Sequence, residues 1–256
     1  MKFIKLLLLS IFSFSTLLAN DDAQANNPIA TIRAFNIQNY YIGEMTDTDE
    51  DANQGWLRLA YPVSIEDTSW LIRGSLPLNT FPVSESGGKE TSLGDLNLWA
   101  SYIMDVGNPS ISFGFGPQIT LPTAGNDKLG SQKYSAGLMN ILFNAESATF
   151  QYGYLLTWQH SFAGEDDRET VNSAVLQPIA FYQLGGGNYV RAAPIWTYNI
   201  ENDSYNVPIG VGFGHIFKRK KMVYNVFVEP QFSVANRGEG QAKQQVYMAV
   251  NIQFLD

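Results

Sequence analysis

The residues able to perform chemistry are few. The 256 residues contain two histidines and no cysteine, so there is no disulfide framework and no thiolate nucleophile or zinc ligand. His160 adjoins Ser161, a hydroxyl–imidazole pair of the sort outer-membrane phospholipases use. A general base must come within about 3 Å of the group it deprotonates. Neighbouring residues on an extended strand point to opposite faces, so these two side chains should diverge, leaving His160 at a lipid-facing rim. His215 shares a face with Val211 and Phe213 and reads as an interfacial residue. Gly210, Gly212 and Gly214 alternate, but a dinucleotide loop needs a strand–turn–helix context, and no helical pattern follows. Inward glycines on a strand make room instead.

Asp47, Asp49 and Asp51 resemble the opening of a calcium loop. The turn-glycine position is Ala52 and the closing-carboxylate position is Arg58, so the loop reads as solvated. A looser expectation is that these acids, with Asp166 and Asp167, share divalent cations with lipopolysaccharide phosphates. No catalytic residue, metal site or cofactor is expected.

Arg58, Arg73, Asp95, Arg191 and Glu229 are the candidate site residues. Each falls on the polar side of an alternating segment, and charges inside a membrane structure imply a wet or networked interior. Two readings stay open: a selectivity constriction and a structural salt-bridge plug.

The elements that would position these residues are strands. Charged residues are 16% of the chain and aromatics 13%, with 22 glycines, a balance suited to short strands and tight turns. Residues 1–25 read as an export signal: Lys2 and Lys5, an apolar run ending near Leu18, and Ala23-Gln24-Ala25 as a cleavage site, with Ala19 as a second candidate. Residues 26–256 then form one domain.

Thr149 to Phe162 shows the pattern most clearly. Phe150, Tyr152, Tyr154, Leu156, Trp158 and Phe162 alternate with Gln151, Gly153, Thr157, Gln159 and Ser161. Strand side chains point alternately to opposite faces, and a tilted membrane strand needs about 9–11 residues. The same period predicts strands over 28–41, 55–65, 69–80, 92–104, 110–121, 134–144, 149–162, 172–183, 188–200, 205–217, 222–234 and 243–254.

Short connections such as Glu66-Asp67-Thr68 and Lys218 to Lys221 alternate with long polar ones such as Gly43 to Gln54, Phe81 to Thr91 and Pro122 to Lys133. Short turns on one rim and long loops on the other describe an outer-membrane barrel. The fold class is therefore all-β, an antiparallel transmembrane β-barrel of about twelve strands in an up-and-down meander. A soluble β-sandwich also alternates, hiding its apolar face and leaving the other polar; here the polar face is rich in Gly, Ser, Thr, Asn and Gln with few charges, which suits a confined wet lumen better than an open surface. Aromatics near strand ends, among them Trp56, Trp70, Tyr102, Tyr182, Tyr189 and Phe217, suit the headgroup level. The formal charge of −8 excludes nucleic acid as a partner.

Asn27-Pro28-Ile29-Ala30, Gly94-Asp95-Leu96-Asn97, Gly116-Pro117-Gln118, Leu121-Pro122-Thr123-Ala124 and Leu129-Gly130-Ser131 are arranged as in a known family. Tyr134-Ser135-Ala136-Gly137, Gln177-Pro178 and Val207-Pro208-Ile209-Gly210 continue the match. In these motifs, over roughly residues 27–234, the chain resembles bacterial outer-membrane transporters linked to the meta-pathway of phenol degradation. That resemblance implies an outer-membrane barrel taking up small solutes, aromatic or hydrophobic compounds among them, and carries no catalytic residues. The expected function is a passive channel, not an enzyme. Its partners would be outer-membrane lipids, lipopolysaccharide, the barrel insertion machinery and the solute. A structural or surface-interaction barrel without transport, or a lipid-modifying enzyme, is the alternative.

Overall fold

The computed structural model describes residues 25–48, 50–83 and 88–255; the expected export signal up to residue 24 and Asp49 lie outside them. The chain crosses twelve times as an antiparallel meander and closes on itself. The strands are β1 (Arg33–Met45), β2 (Ala52–Ile65), β3 (Thr68–Pro82), β4 (Lys89–Leu93 continuing as Leu96–Met104), β5 (Ile111–Leu121) and β6 (Lys133–Asn144). They continue as β7 (Phe150–Gly164), β8 (Asn172–Gly185), β9 (Asn188–Ala192 and Trp196–Asn199), β10 (Tyr205–Gly210 and Gly212–Arg219), β11 (Met222–Arg237) and β12 (Ala242–Phe254). Each strand pairs with its sequence neighbours, and β1 pairs with β12 from Arg33↔Phe254 to Met45↔Ala242, so no edge is left open.

Alternation sets the faces. On β7, Phe150, Tyr152, Leu156, Trp158 and Phe162 are exposed on the outer wall, while Gln151 and Ser161 are buried inside. Leu138 on β6, Val211 on β10 and Phe232 on β11 repeat the outward pattern. This is a lipid-facing apolar band around a lumen of opposite character. Tight turns such as that at Glu66 and Lys220, both with left-handed backbone (φ 51° and 55°), lie on one rim. The opposite rim carries the longer connections.

The first predicted strand differs from the structure. Pairing begins at Arg33 rather than near residue 28, because β12 supplies its last partner at Phe254. Residues 25–32 instead run inside the barrel at the short-turn end. Asn27 caps its own turn, its side chain accepting from Ile29 N at 3.0 Å, and Pro28 has no N–H to give a ladder. Ile29 is 1% exposed and packs among Leu71, Trp99, Met139 and Ile141; Ala25 packs against Phe143, Phe181 and Tyr189. Asn225 donates to Asn26 Oδ1 and Asn27 donates to Ser112 Oγ, both at 2.8 Å. The segment is a plug held by apolar packing and by amide bonds to the wall.

Three strands are interrupted. In β9 the break is Ala193-Pro194-Ile195, and it faces the break at Val211 in β10. Ladder pairs stop after Arg191↔Gly212 and resume at Thr197↔Asn206. The freed backbone groups find side chains instead. Ala193 N donates to Glu229 at 3.1 Å, Gln177 donates to Ala193 O at 3.0 Å, and Trp196 Nε1 donates to Pro208 O at 2.9 Å. Buried backbone groups are rarely left unpaired. In β4 the break is Gly94-Asp95, where the carboxylate turns to the loop above it.

Strands β1 to β4 also run farther than alternation suggested. The expected long connections Gly43 to Gln54 and Phe81 to Thr91 are partly hairpin, with β1 reaching Met45 and β4 starting at Lys89. Lys89 spans the two hairpins, pairing with Glu50 at 3.6 Å and hydrogen-bonding Asp51. That bond holds the Asp51 carboxyl below its usual range.

Candidate functional site: a divided lumen

The lumen is asymmetric. Around Arg191 and Glu229 the wall is densely packed. Arg191 and Glu229 form a salt bridge of 2.6 Å, 5% and 0% exposed. The Arg191 guanidinium lies 3.4 Å from the centre of the Phe227 ring and 5.3 Å from that of Tyr247. Tyr247 in turn stacks on Tyr40 with ring centres 4.2 Å apart. Glu229 also accepts from Gln231, and Gln231 accepts from Gln245 at 2.7 Å. Within this knot the two charges, Arg191 and Glu229, are paired with each other, which fixes this part of the wall.

Elsewhere the wall surrounds open space. A cavity of about 800 Å³ fills the half of the lumen nearer the long loops, and a smaller one of about 120 Å³ lies below it against the plug. Arg58, Arg73 and Gln177 border both cavities and form the partition between them.

Strand register places the partition. Arg73 lies directly opposite Trp99 across β3 and β4, and its guanidinium sits 4.5 Å from the indole centre. Arg58 follows Trp56 by two residues on β2, so both point inward, and its guanidinium sits 4.8 Å from that indole. Arg58 pairs with Ser75, and Arg73 pairs with Ala60. The two arginines are therefore diagonal neighbours, within mutual reach of long side chains. Arg58 donates to Gln38 Oε1. Among the described residues neither arginine meets a carboxylate, and the Nε of each is buried with no protein acceptor.

Asp95 also borders the upper cavity, but it serves a loop. It accepts from Ser131 N at 2.7 Å, from Ser131 Oγ at 2.6 Å and from Ala124 N at 3.2 Å. The connection between β5 and β6, which contains a short 3₁₀ turn at Asp127–Leu129, is thereby folded inward over the cavity. Leu129 is buried, and its carbonyl accepts from Asn79 at 3.2 Å. Gly130 is required here because a Cβ would lie 2.2 Å from Ala124 Cβ. Gly94-Asp95 and Leu129-Gly130-Ser131, two motifs of the family resemblance, are thus the halves of one clasp.

The five charged candidates therefore divide by role. Arg191 and Glu229 are mutually paired, Asp95 is bound to backbone and hydroxyl donors, and Arg58 and Arg73 stand in the partition without an acidic partner. Sequence reasoning missed the two indoles. Trp56 was expected at the membrane interface, yet it shares strand parity with Arg58, a signal that places it inside. Tyr189 was expected there too, but it is buried in the lumen, fitted over Gly214, where a Cβ would lie 2.2 Å from the ring.

Ser161 is buried inside, its Oγ accepting from Val171 N at 3.1 Å, while His160 is exposed on the outer wall. The two share no site. His215 lies outside, bonded to Asn188 at 2.9 Å and stacked on Phe217. Among the described residues no group of His, Asp and Glu is placed to hold a metal ion.

No protein-family model matches the sequence, and no curated protein matches it. Solved structures do. The COG4313 outer membrane channel from Pseudomonas putida F1 superposes with a TM-score of 0.66 at 12% identity, over 88% of this chain and 97% of that one. The NanC porin gives a TM-score of 0.55 at 7% identity, over 87% and 98%. The transport unit of the autotransporter AIDA-I from Escherichia coli gives 0.51 at 12%, over 94% and 98%. At these identities the likeness is one of fold: the chain has the architecture of outer-membrane porin-like β-barrels.

Proposed function

We propose that this chain is exported by its first 25 residues and inserted into the outer membrane by the barrel insertion machinery. There, among membrane lipids and lipopolysaccharide, it acts as a passive channel for small solutes, aromatic or hydrophobic compounds among them. The observation that carries this reading is the cavity of about 800 Å³ inside a closed barrel. Indoles and aliphatic side chains share its lining with amides and hydroxyls, the mixture expected where small molecules are accommodated. Twelve strands enclose less space than general-diffusion porins. The resemblance to the phenol-degradation transporters points to the same solute class.

A barrel without transport is favoured by one observation, the buried plug at the short-turn end. Liposome swelling with phenol-sized and sugar solutes separates the two. Permeation that prefers phenol-sized solutes supports the channel. No swelling with any solute rules it out and leaves a structural or surface role.

A further inference from the structure

We infer that the partition between the two cavities is a binding site for an organic carboxylate, held by Arg58 and Arg73 with its apolar body lying in the upper cavity. The inference rests on the channel reading and names the class of solute.

Two guanidinium groups on diagonal positions of β2 and β3 face the same space, and among the described residues no carboxylate pairs with either. Like charges at that spacing repel, and the low-dielectric wall strengthens the repulsion. Among the described residues no acid relieves it, whereas Arg191 has Glu229. What holds the pair is two indole faces and one amide. Trp99 lies under Arg73, Trp56 lies by Arg58, and Gln38 accepts from Arg58. A guanidinium held against a ring by its face keeps its edge N–H groups available to an acceptor. Planar forks of this kind match the two oxygens of a carboxylate. The buried Nε of each arginine, without a protein acceptor, is the donor such an anion would satisfy.

The space above the pair selects the rest of the molecule. Leu155, Val175, Ile195 and the edges of the two indoles line the upper cavity beside the arginines. That lining favours an apolar body over a hydrated inorganic ion. The plug lies on the far side, so a carboxylate entering from the loop end crosses the upper cavity before it meets the arginines, with its body still among apolar groups. Asp95, the acid that lines the upper cavity among the described residues, already accepts from three donors of its own clasp.

The test is a titration of the folded, detergent-solubilised full chain. Tryptophan fluorescence is followed while benzoate or the neutral benzamide is added at constant ionic strength. Benzoate is expected to give a saturable change, and benzamide at the same concentrations none. Arg73→Gln and Arg58→Gln, checked for the shifted mobility of an unheated barrel on a detergent gel, should each weaken benzoate binding by about tenfold or more, as expected for loss of a charge-assisted bond. Equal responses to benzoate and benzamide in the unsubstituted protein would overturn the inference whether or not the variants fold. So would variants that titrate unchanged, or full competition by chloride at equal concentration. Solute entry into liposomes is read separately. Binding without permeation discards the channel and keeps the site, whereas permeation indifferent to charge discards the site and keeps the channel.

Discussion

Glu229 accepts from three directions at once: the Arg191 guanidinium, the amide of Gln231 and the backbone N–H of Ala193 freed by Pro194. Its removal strands a buried cation and a buried N–H together. Breaking a buried pair from one side costs about 3–5 kcal/mol, and an orphaned N–H adds about 1–3 kcal/mol. Glu229→Ala should therefore lower sharply the temperature at which the folded band converts to the unfolded one on a detergent gel. Removing both charges, as Arg191→Met with Glu229→Leu, should recover part of that loss but not all, since Ala193 N still lacks its acceptor. Full recovery would show that the ion pair alone matters. At this scale strand parity gave the five charged candidates a common face; Arg58, Arg73 and Asp95 border the upper cavity, and Arg191 and Glu229 are buried against each other. It could not say which charges were paired, because pairing depends on which strands lie side by side and at what register. It also misled at Trp56, where a preference of residue type was given more weight than the two-residue step from Arg58.

Among the elements, the strands were legible and the fillings of the lumen were not. Period-two alternation lasts for a dozen residues and survives an error of one or two at either end. The plug has no such period. Asn26 to Ile32 carries one deeply buried apolar residue, Ile29, and its burial comes from an enclosing wall that no local pattern announces. The segment should leave its seat when that residue becomes charged. Ile29→Asp buries an unpaired carboxylate among Leu71, Trp99 and Met139, a cost of several kcal/mol that withdrawal avoids. Single-channel recording should show higher conductance than the unsubstituted protein; an unchanged trace would mean that the segment does not limit flow. The inward loop depends likewise on a few directed bonds. Asp95→Ala removes all three acceptor contacts to Ser131 and Ala124, so trypsin should cut after Lys128 in the folded barrel, where it spares the parent.

For the molecule as a whole, the claim is that lipid wets the outer face and water the inner one along every crossing. Leu138 tests it at a single point. It lies near the middle of β6, is 62% exposed, and pairs with Trp158 and Pro117 on its neighbours, so its cross-strand partners on the outer wall are apolar. If the band faces hydrocarbon, Leu138→Arg places a charge at the depth where the cost is about 2–4 kcal/mol. The same change on a water-washed surface would cost almost nothing. Lys220, in the tight turn between β10 and β11, lies at the rim, where charge is already tolerated, and Lys220→Glu serves as the matched control. In urea titrations of barrels folded into lipid vesicles, Leu138→Arg should lose several kcal/mol while Lys220→Glu stays within a few tenths of the parent. If the two variants unfolded at the same urea concentration, the exposed side chains of Leu138, Phe162, Val211 and Phe232 would be facing water or another protein. The lumen would then lose its standing as the only wet face.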